Sequence, residues 1–122
     1  MRDVLFKAKR LDNGKWIEGN LLISLDSDED FRAIIIPLRD SNMFTDNSER
    51  DLGIECWSKV DPKTVCEYTG INDKSGNKVF EYDRLGHEMN IVEMMNGDWC
   101  VNGDVPLFFM AKEYEVLGNF FD

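Results

Sequence analysis

The sequence is poor in the side chains on which most enzymes and metal sites depend. It has one histidine, His87, and three cysteines among 122 residues. A single histidine cannot make a multi-histidine metal site, and its nearest cysteine in sequence is far from zinc-ribbon spacing. Cys56, Cys66 and Cys100 are odd in number and widely separated. They do not make a closed disulfide framework, and are expected as free, buried thiols of a reducing compartment. No apolar run approaches the roughly 18 residues of a membrane span. The opening MRDVLFKAKRLDNGKW lacks an apolar core followed by a small-residue cleavage site, so no signal peptide is expected and the reading is cytoplasmic. Gly76-Asn77-Lys78 lacks the other glycines and the hydroxyl residue of a phosphate loop. Repeats, low-complexity tracts and Pro-rich tethers are missing too. Positive charge is scarce: 14 Lys and Arg stand against 24 Asp and Glu, a net charge of -10. Such a surface repels a phosphate backbone and disfavours nucleic acid. A basic protein partner remains open, as does acidic mimicry of nucleic acid.

What the chain does have is apolar content (43%, with 11% aromatic) in short pieces. Its length fits one domain, residues 1–122, with a variable polar excursion about 40–52. Arg2 to Arg10 reads as a first strand with Val4, Phe6 and Ala8 on one face. Asn13-Gly14 signals a hairpin, and Lys15 to Ser24 returns as a second strand, interrupted near Gly19. Arg32 to Leu38 is apolar enough for a core strand, ended or placed at an edge by Pro37. In the polar excursion Met43 and Phe44 are the expected anchors, and a short helix could start at Thr45 or Asn47. Ile54 to Val60 suits another strand, and Asp61-Pro62 a sharp turn leading to Thr64. Val65 to Thr69 and Lys78 to Tyr82 flank an Asn72–Gly76 turn and form the central hairpin. Glu88 to Met95 is read as a strand returning through Asn96-Gly97 into Asp98–Val101. Leu107 to Tyr114 suits a helix or a strand equally, and Glu115 to Phe121 closes the chain as a strand. Turns every 8 to 12 residues predict a mainly β or α+β fold: a small barrel-like domain of strongly bent antiparallel sheets with hairpins and at most one or two short helices.

Chemistry is harder to find. Asp26 to Asp30 is acidic but lacks the central Gly and distal Glu of a calcium loop, so it reads as a solvated turn. Asp73, Glu81 and Asp83 flank the central turn. Asp73 is expected to cap its turn through an Asx-type hydrogen bond, and Asp83 to do likewise before Gly86. His87 after a glycine is expected at the surface. Arg2, Lys7, Lys9, Arg10 and Lys15 make the only basic concentration, either outward-facing strand residues or a match for the acidic surface of a second copy. Trp16, Trp57 and Trp99 are core posts of a barrel or interface anchors.

Four places carry a resemblance. Phe6-Lys7-Ala8 precedes Asn13-Gly14-Lys15-Trp16. Val60–Val65 leads into Glu67-Tyr68-Thr69-Gly70, and Asp73-Lys74-Ser75-Gly76-Asn77-Lys78-Val79-Phe80-Glu81 follows. Glu115–Asn119 closes the chain. The sequence resembles the YopX family of small phage and prophage proteins, over almost its whole length. That resemblance implies a phage or prophage origin, a β-rich fold, a tendency to assemble into homo-oligomers and no assigned activity, and it names no catalytic residues. Tyr82 departs from the pattern, standing where the family has glycine before Asp83. Either the position does not need a left-handed backbone, or the turn is reshaped and Tyr82 covers something.

The expectation is therefore a non-enzymatic accessory protein with no catalytic residue, cofactor or metal, acting through protein–protein contacts and assembling as a homo-oligomer. Trp16, Tyr68, Tyr82, Trp99, Phe108 and Phe120 form its candidate interaction surface. One or more of the apolar runs Leu21 to Ile23, Leu107 to Met110 and Phe120-Phe121 is expected to be covered by another copy. The alternatives are a single-stranded nucleic-acid-binding β-barrel stacking bases on Trp16, Tyr68 or Trp99, and an acidic nucleic-acid mimic inhibiting a host enzyme.

Overall fold

Turn chemistry sets most of the strand pairing. The structure is a computed structural model that describes residues 4–28, 31–45 and 51–122. The expectations for Arg2, for Asp30 and for a helix starting at Asn47 lie outside the described residues. The chain divides into two compact units, Leu5–Val65 and one containing Cys66–Asp122.

In the first unit, β1 (Phe6–Lys9) and β2 (Trp16–Ile23) pair antiparallel, with Phe6 opposite Gly19 and Lys9 opposite Trp16. Their connection places Gly14 at φ 70°. Asn13 contributes through its side chain, whose Oδ1 accepts the Lys15 N–H at 2.9 Å. β2 runs through Gly19 without the expected interruption. A Cβ there would sit 2.0 Å from the Ile36 carbonyl oxygen, so the glycine admits the neighbouring backbone and does not break the strand. That neighbour is β3 (Ala33–Ile36), antiparallel to β2 and to β6 (Ser58–Lys59). Alternation sends Ala8, Ala33, Ile35 and Val60 to one face, where Phe6, Ile17, Leu21 and Val65 pack against them. Burying a side chain such as Ile35 contributes about 2 kcal/mol.

The polar excursion is a small hairpin of β4 (Met43–Thr45) and β5 (Leu52–Ile54). Met43 and Phe44 are not its anchors, because both are exposed. The Phe44 ring lies across Gly53, where a side chain would collide with it. The strand expected over Ile54 to Val60 is likewise split between β5 and β6. A 3-10 turn, Pro62–Thr64, follows. The Asp61 carboxylate accepts the Lys63 N–H at 3.0 Å, and Pro62 takes the opening position, where its missing N–H costs nothing.

In the second unit, β7 (Cys66–Asn72) and β8 (Lys78–Phe80) form the central hairpin, irregular between Tyr68 and Asn72, where Gly70 adopts φ 82°. β9 (Asp83–Leu85) pairs with β13 (Val116–Asn119). β10 (Val92–Met95), β11 (Asp98–Val101) and β12 (Val105–Pro106) form a three-stranded sheet. Asn96 and Gly97, at φ 51° and 88°, make the two-residue turn expected of that pair. The ambiguous stretch after Pro106 is helical: α1 spans Leu107–Ala111. Leu107 and Ala111, one turn apart, join Val79, Leu85, Val92 and Val101 in the core.

The barrel is not there. Among the described residues no strand order returns to its first member, and the sheets are neither closed nor strongly curled. Frequent turns and alternation dictate hairpins. Closure requires in addition a common tilt and a cumulative register shift around the ring, which no local pattern encodes. Here the apolar residues gather into two small cores instead.

Candidate functional site

The carboxylates of the second unit fall into two sets. Asp73 is buried, and its Oδ1 accepts the backbone N–H groups of Ser75 and Asn77, both at 2.9 Å. Its Oδ2 accepts the Val116 N–H at 2.9 Å and the Asn77 amide at 3.3 Å. The Asx-type cap is as expected, and the tie to Val116 is additional. Burial alone would raise the Asp73 carboxyl; the hydrogen bonds from Val116, Asn77 and Ser75 outweigh it and hold the group below its ordinary value.

Asp83 does not cap the turn before Gly86. Its Oδ2 turns back to accept the Phe80 N–H at 2.8 Å, and its Oδ1 accepts the Asn119 amide at 2.8 Å. Asn119 also donates to the Glu81 carbonyl (3.1 Å), and its own Oδ1 accepts the Phe121 N–H (2.9 Å). These two aspartates hold turns and the last strand in place.

The other set is crowded by like charge. Glu81 is pushed up from its ordinary value by burial and by the carboxylates of Glu67 and Glu93, against one lowering hydrogen bond from the Glu67 backbone. The Tyr82 hydroxyl is pushed up by Glu81 first, then by burial, Glu93 and Cys66. Cys66–Asp122 as a whole has eleven Asp and Glu against four Lys and Arg, a net charge of -7, whereas Leu5–Val65 has twelve against nine, a net charge of -3.

Beside these acids lies a groove of about 590 Å³, lined by Glu67 and Ile71 of β7, Met94 of β10, Gly97, Asp98, Trp99 and Cys100, Pro106 of β12 and Phe108 of α1. The Asn96-Gly97 turn builds one wall. It pairs Met94 with Trp99 and Val92 with Val101 on one face. The valines are buried in the core, and the face continues past its end as Trp99, half-buried, and Met94, 41% exposed. The other wall follows from α1. Seating Leu107 and Ala111 in the core turns Phe108 and Phe109 outward, 53% and 63% exposed. Lys112 Nζ lies 4.1 Å above the Phe108 ring.

Of the six candidate surface residues, the structure brings Trp99 and Phe108 together in this groove. Tyr82 and Phe120 belong to a second aromatic group, each edge-on to Phe121 with ring centres 5.5 and 5.2 Å away. Tyr68 packs on Phe80 at 5.6 Å and donates its hydroxyl to Asn72. Trp16 is in the Leu5–Val65 unit, half-buried, with Lys7 and Lys9 ammonium groups 4.5 and 5.6 Å from its ring. Met94, Ile71 and Glu67 were not among the candidates. Counting register outward from Asn96-Gly97 places Met94 opposite Trp99; nothing local signals Ile71 or Glu67. The tyrosine in place of glycine is also resolved: Tyr82 adopts φ 65°, so the position does take a left-handed backbone. A bulky residue there costs roughly 1–2 kcal/mol.

The remaining chemistry-bearing groups are dispersed. Cys66 is buried, Cys100 half-buried and Cys56 exposed, so burial was the wrong expectation for Cys56. His87 is exposed, its Nδ1 accepting the Met89 N–H at 3.1 Å. Among the described residues, no three His, Cys, Asp or Glu side chains converge as metal ligands would, and no helix is long and apolar enough to cross a membrane.

No curated protein and no solved structure matches the chain. The family model described as YopX protein matches residues 5–122.

Proposed function

The chain belongs to the YopX family of phage and prophage proteins, and from that premise we propose that it acts in the cytoplasm through protein–protein contact, with no catalysis of its own. The observation that carries this reading is the outward placement of Phe108 and Phe109 beside a groove of mixed polar and apolar lining, in the more acidic of the two units. Clustered large apolar side chains outside a core mark a surface that another molecule covers. The buried carboxylates support the same reading, since Asp73 and Asp83 spend their oxygens on backbone and amide hydrogen bonds. Leu22 and Ile23, exposed on β2, and Phe120 suit self-association, so a homo-oligomer is part of the proposal. Free thiols fit the cytoplasm.

Affinity capture from prophage-induced cells tests the contact. The tagged wild type is expected to recover one protein at near-stoichiometric yield, and the triple variant Phe108→Ser/Phe109→Ser/Phe120→Ser to lose it. Recovery of nothing, or equal recovery by both, would overturn the reading. Light scattering coupled to size exclusion tests self-association, which a monomer mass at tens of micromolar protein would refute.

A further inference from the structure

Two grooves of similar size, one in each unit, have opposite electrostatics. The groove of the Leu5–Val65 unit, about 540 Å³, is lined by Arg10, Leu11, Asp12, Trp57, Ser58 and Lys59. Its charges are matched at home: the Arg10 guanidinium donates to both Asp12 oxygens at 3.1 and 2.8 Å, and Lys59 Nζ rests 4.0 Å over the Phe31 ring. The groove of the Cys66–Asp122 unit is different. Its ionised lining is only Glu67 and Asp98, and the rest is almost wholly apolar. Unlike Asp12, which pairs with Arg10, neither carboxylate has an ion pair among the described residues.

We propose that this second groove is the docking site for a cationic, apolar segment of a partner protein, with Lys or Arg side chains beside Glu67 and Asp98 and large aliphatic side chains against Trp99 and Phe108. The inference rests on the contact reading above and names the chemistry of the partner. Charge complementarity carries it. The Glu67 carboxylate that lines the groove is, with Glu93, one of the like charges that push Glu81 up, and a cation arriving beside Glu67 relieves that crowding. The Phe108 face already holds one ammonium group, that of Lys112, as an electron-rich ring does. A partner with charge alone would leave the Trp99, Met94 and Ile71 wall wet. An uncharged apolar partner would bury the carboxylates without compensation. Both features are therefore needed together.

The test uses the full chain, labelled for amide NMR, titrated with three peptides about twelve residues long: alternating Lys-Leu, alternating Lys-Ser and alternating Glu-Leu. The Lys-Leu peptide is expected to bind saturably, with shifts centred on residues 94–100 and 107–108. The Lys-Ser peptide is expected to bind about tenfold more weakly, and the Glu-Leu peptide not at all. Glu67→Gln, isosteric and half-exposed, and Trp99→Ala should each weaken binding by roughly fivefold or more. Glu113→Gln, the same charge change at an exposed site outside the groove, should leave it unchanged. Equal binding of the two lysine peptides, shifts spread over the acidic surface, or indifference to Glu67→Gln would each overturn the proposal. So would a wild-type dimer that Trp99→Ala dissociates, because the groove's occupant would then be a second copy. If capture from cells recovers the same partner with wild type, Glu67→Gln and Trp99→Ala alike, the contact reading stands and the groove assignment falls.

Discussion

The Leu5–Val65 and Cys66–Asp122 units solve the same problem, a small antiparallel core, with different materials. The first is held by aliphatic packing and close backbone approach, with Ile35 at its centre and Gly19 pressed against the Ile36 carbonyl. Around its groove, Arg10 pairs with Asp12 and Lys59 covers Phe31. The second ties its turns and last strand together through two buried aspartates, and turns Phe108 and Phe109 outward to seat Leu107 and Ala111. It also leaves Glu67, Glu81 and Glu93 to crowd one another. An acidic residue in this chain can thus be architecture or surface, and the difference is whether backbone N–H groups converge on it.

Substitutions at the two keystones should show the largest effects. Gly19→Ala drives a methyl group into the Ile36 carbonyl, which cannot move without the strand, and should cost about 3 kcal/mol in urea denaturation. Asp83→Ala takes the acceptor from the Phe80 N–H and leaves the Asn119 amide with the Glu81 carbonyl in place of two oxygen acceptors, and should cost about 2–3 kcal/mol by the same measurement. A loss under about 0.5 kcal/mol in either variant would show that the unit is not held as described.

Tyr82 gives a smaller and more discriminating effect. Tyr82→Ala keeps the left-handed backbone strain and loses the edge-on contact with Phe121, whereas Tyr82→Gly loses the contact but relieves the strain. The glycine variant should be the more stable of the two by about 1 kcal/mol. Equal midpoints would mean that the strain is absorbed elsewhere.

The smallest effects are read from pH. Asp73 has a lowered carboxyl, so its contribution is present above the ordinary value of 3.8 and lost as pH falls through the folded value below it. Asp73→Asn should therefore lower the melting temperature at pH 7, with the deficit shrinking toward pH 3. Glu81 has a raised one, so its favourable state is present below 4.5 and lost as pH rises through the folded value. Glu81→Gln should raise the melting temperature at pH 7, and that gain should vanish by about pH 4. Parallel pH profiles for the two variants would contradict the division between architectural and crowded carboxylates.

Much of this was legible in the sequence where the signal is local. Asn96-Gly97 set a hairpin because both residues accept a left-handed backbone, and Asp73 bonds two residues ahead, a distance that a reader can count. Pro62 after Asp61 gave the short 3-10 turn for the same reason. The Leu107–Ala111 helix was ambiguous because five residues are too few for a periodicity to emerge. Asp83 was misassigned because its partner, Asn119, is 36 residues away. The barrel failed on the same ground, since closure is a property of all strands together. The groove is half visible in the sequence: Trp99 and Phe108 stand out as aromatics, while Glu67 and Ile71 reach it only through the placement of β7.

Whether the apolar side chains turned outward on the Cys66–Asp122 unit are covered by another protein is measured directly by hydroxyl-radical footprinting read by mass spectrometry, comparing dilute purified protein with the same protein inside prophage-induced cells. Met94, Trp99, Phe108 and Phe109 should be labelled strongly when the protein is alone and several-fold less in the cell. Leu25 of the other unit, 81% exposed in a turn, should be labelled alike in both. Equal labelling of Phe108 and Phe109 in the two samples, after normalising to Leu25, would contradict it.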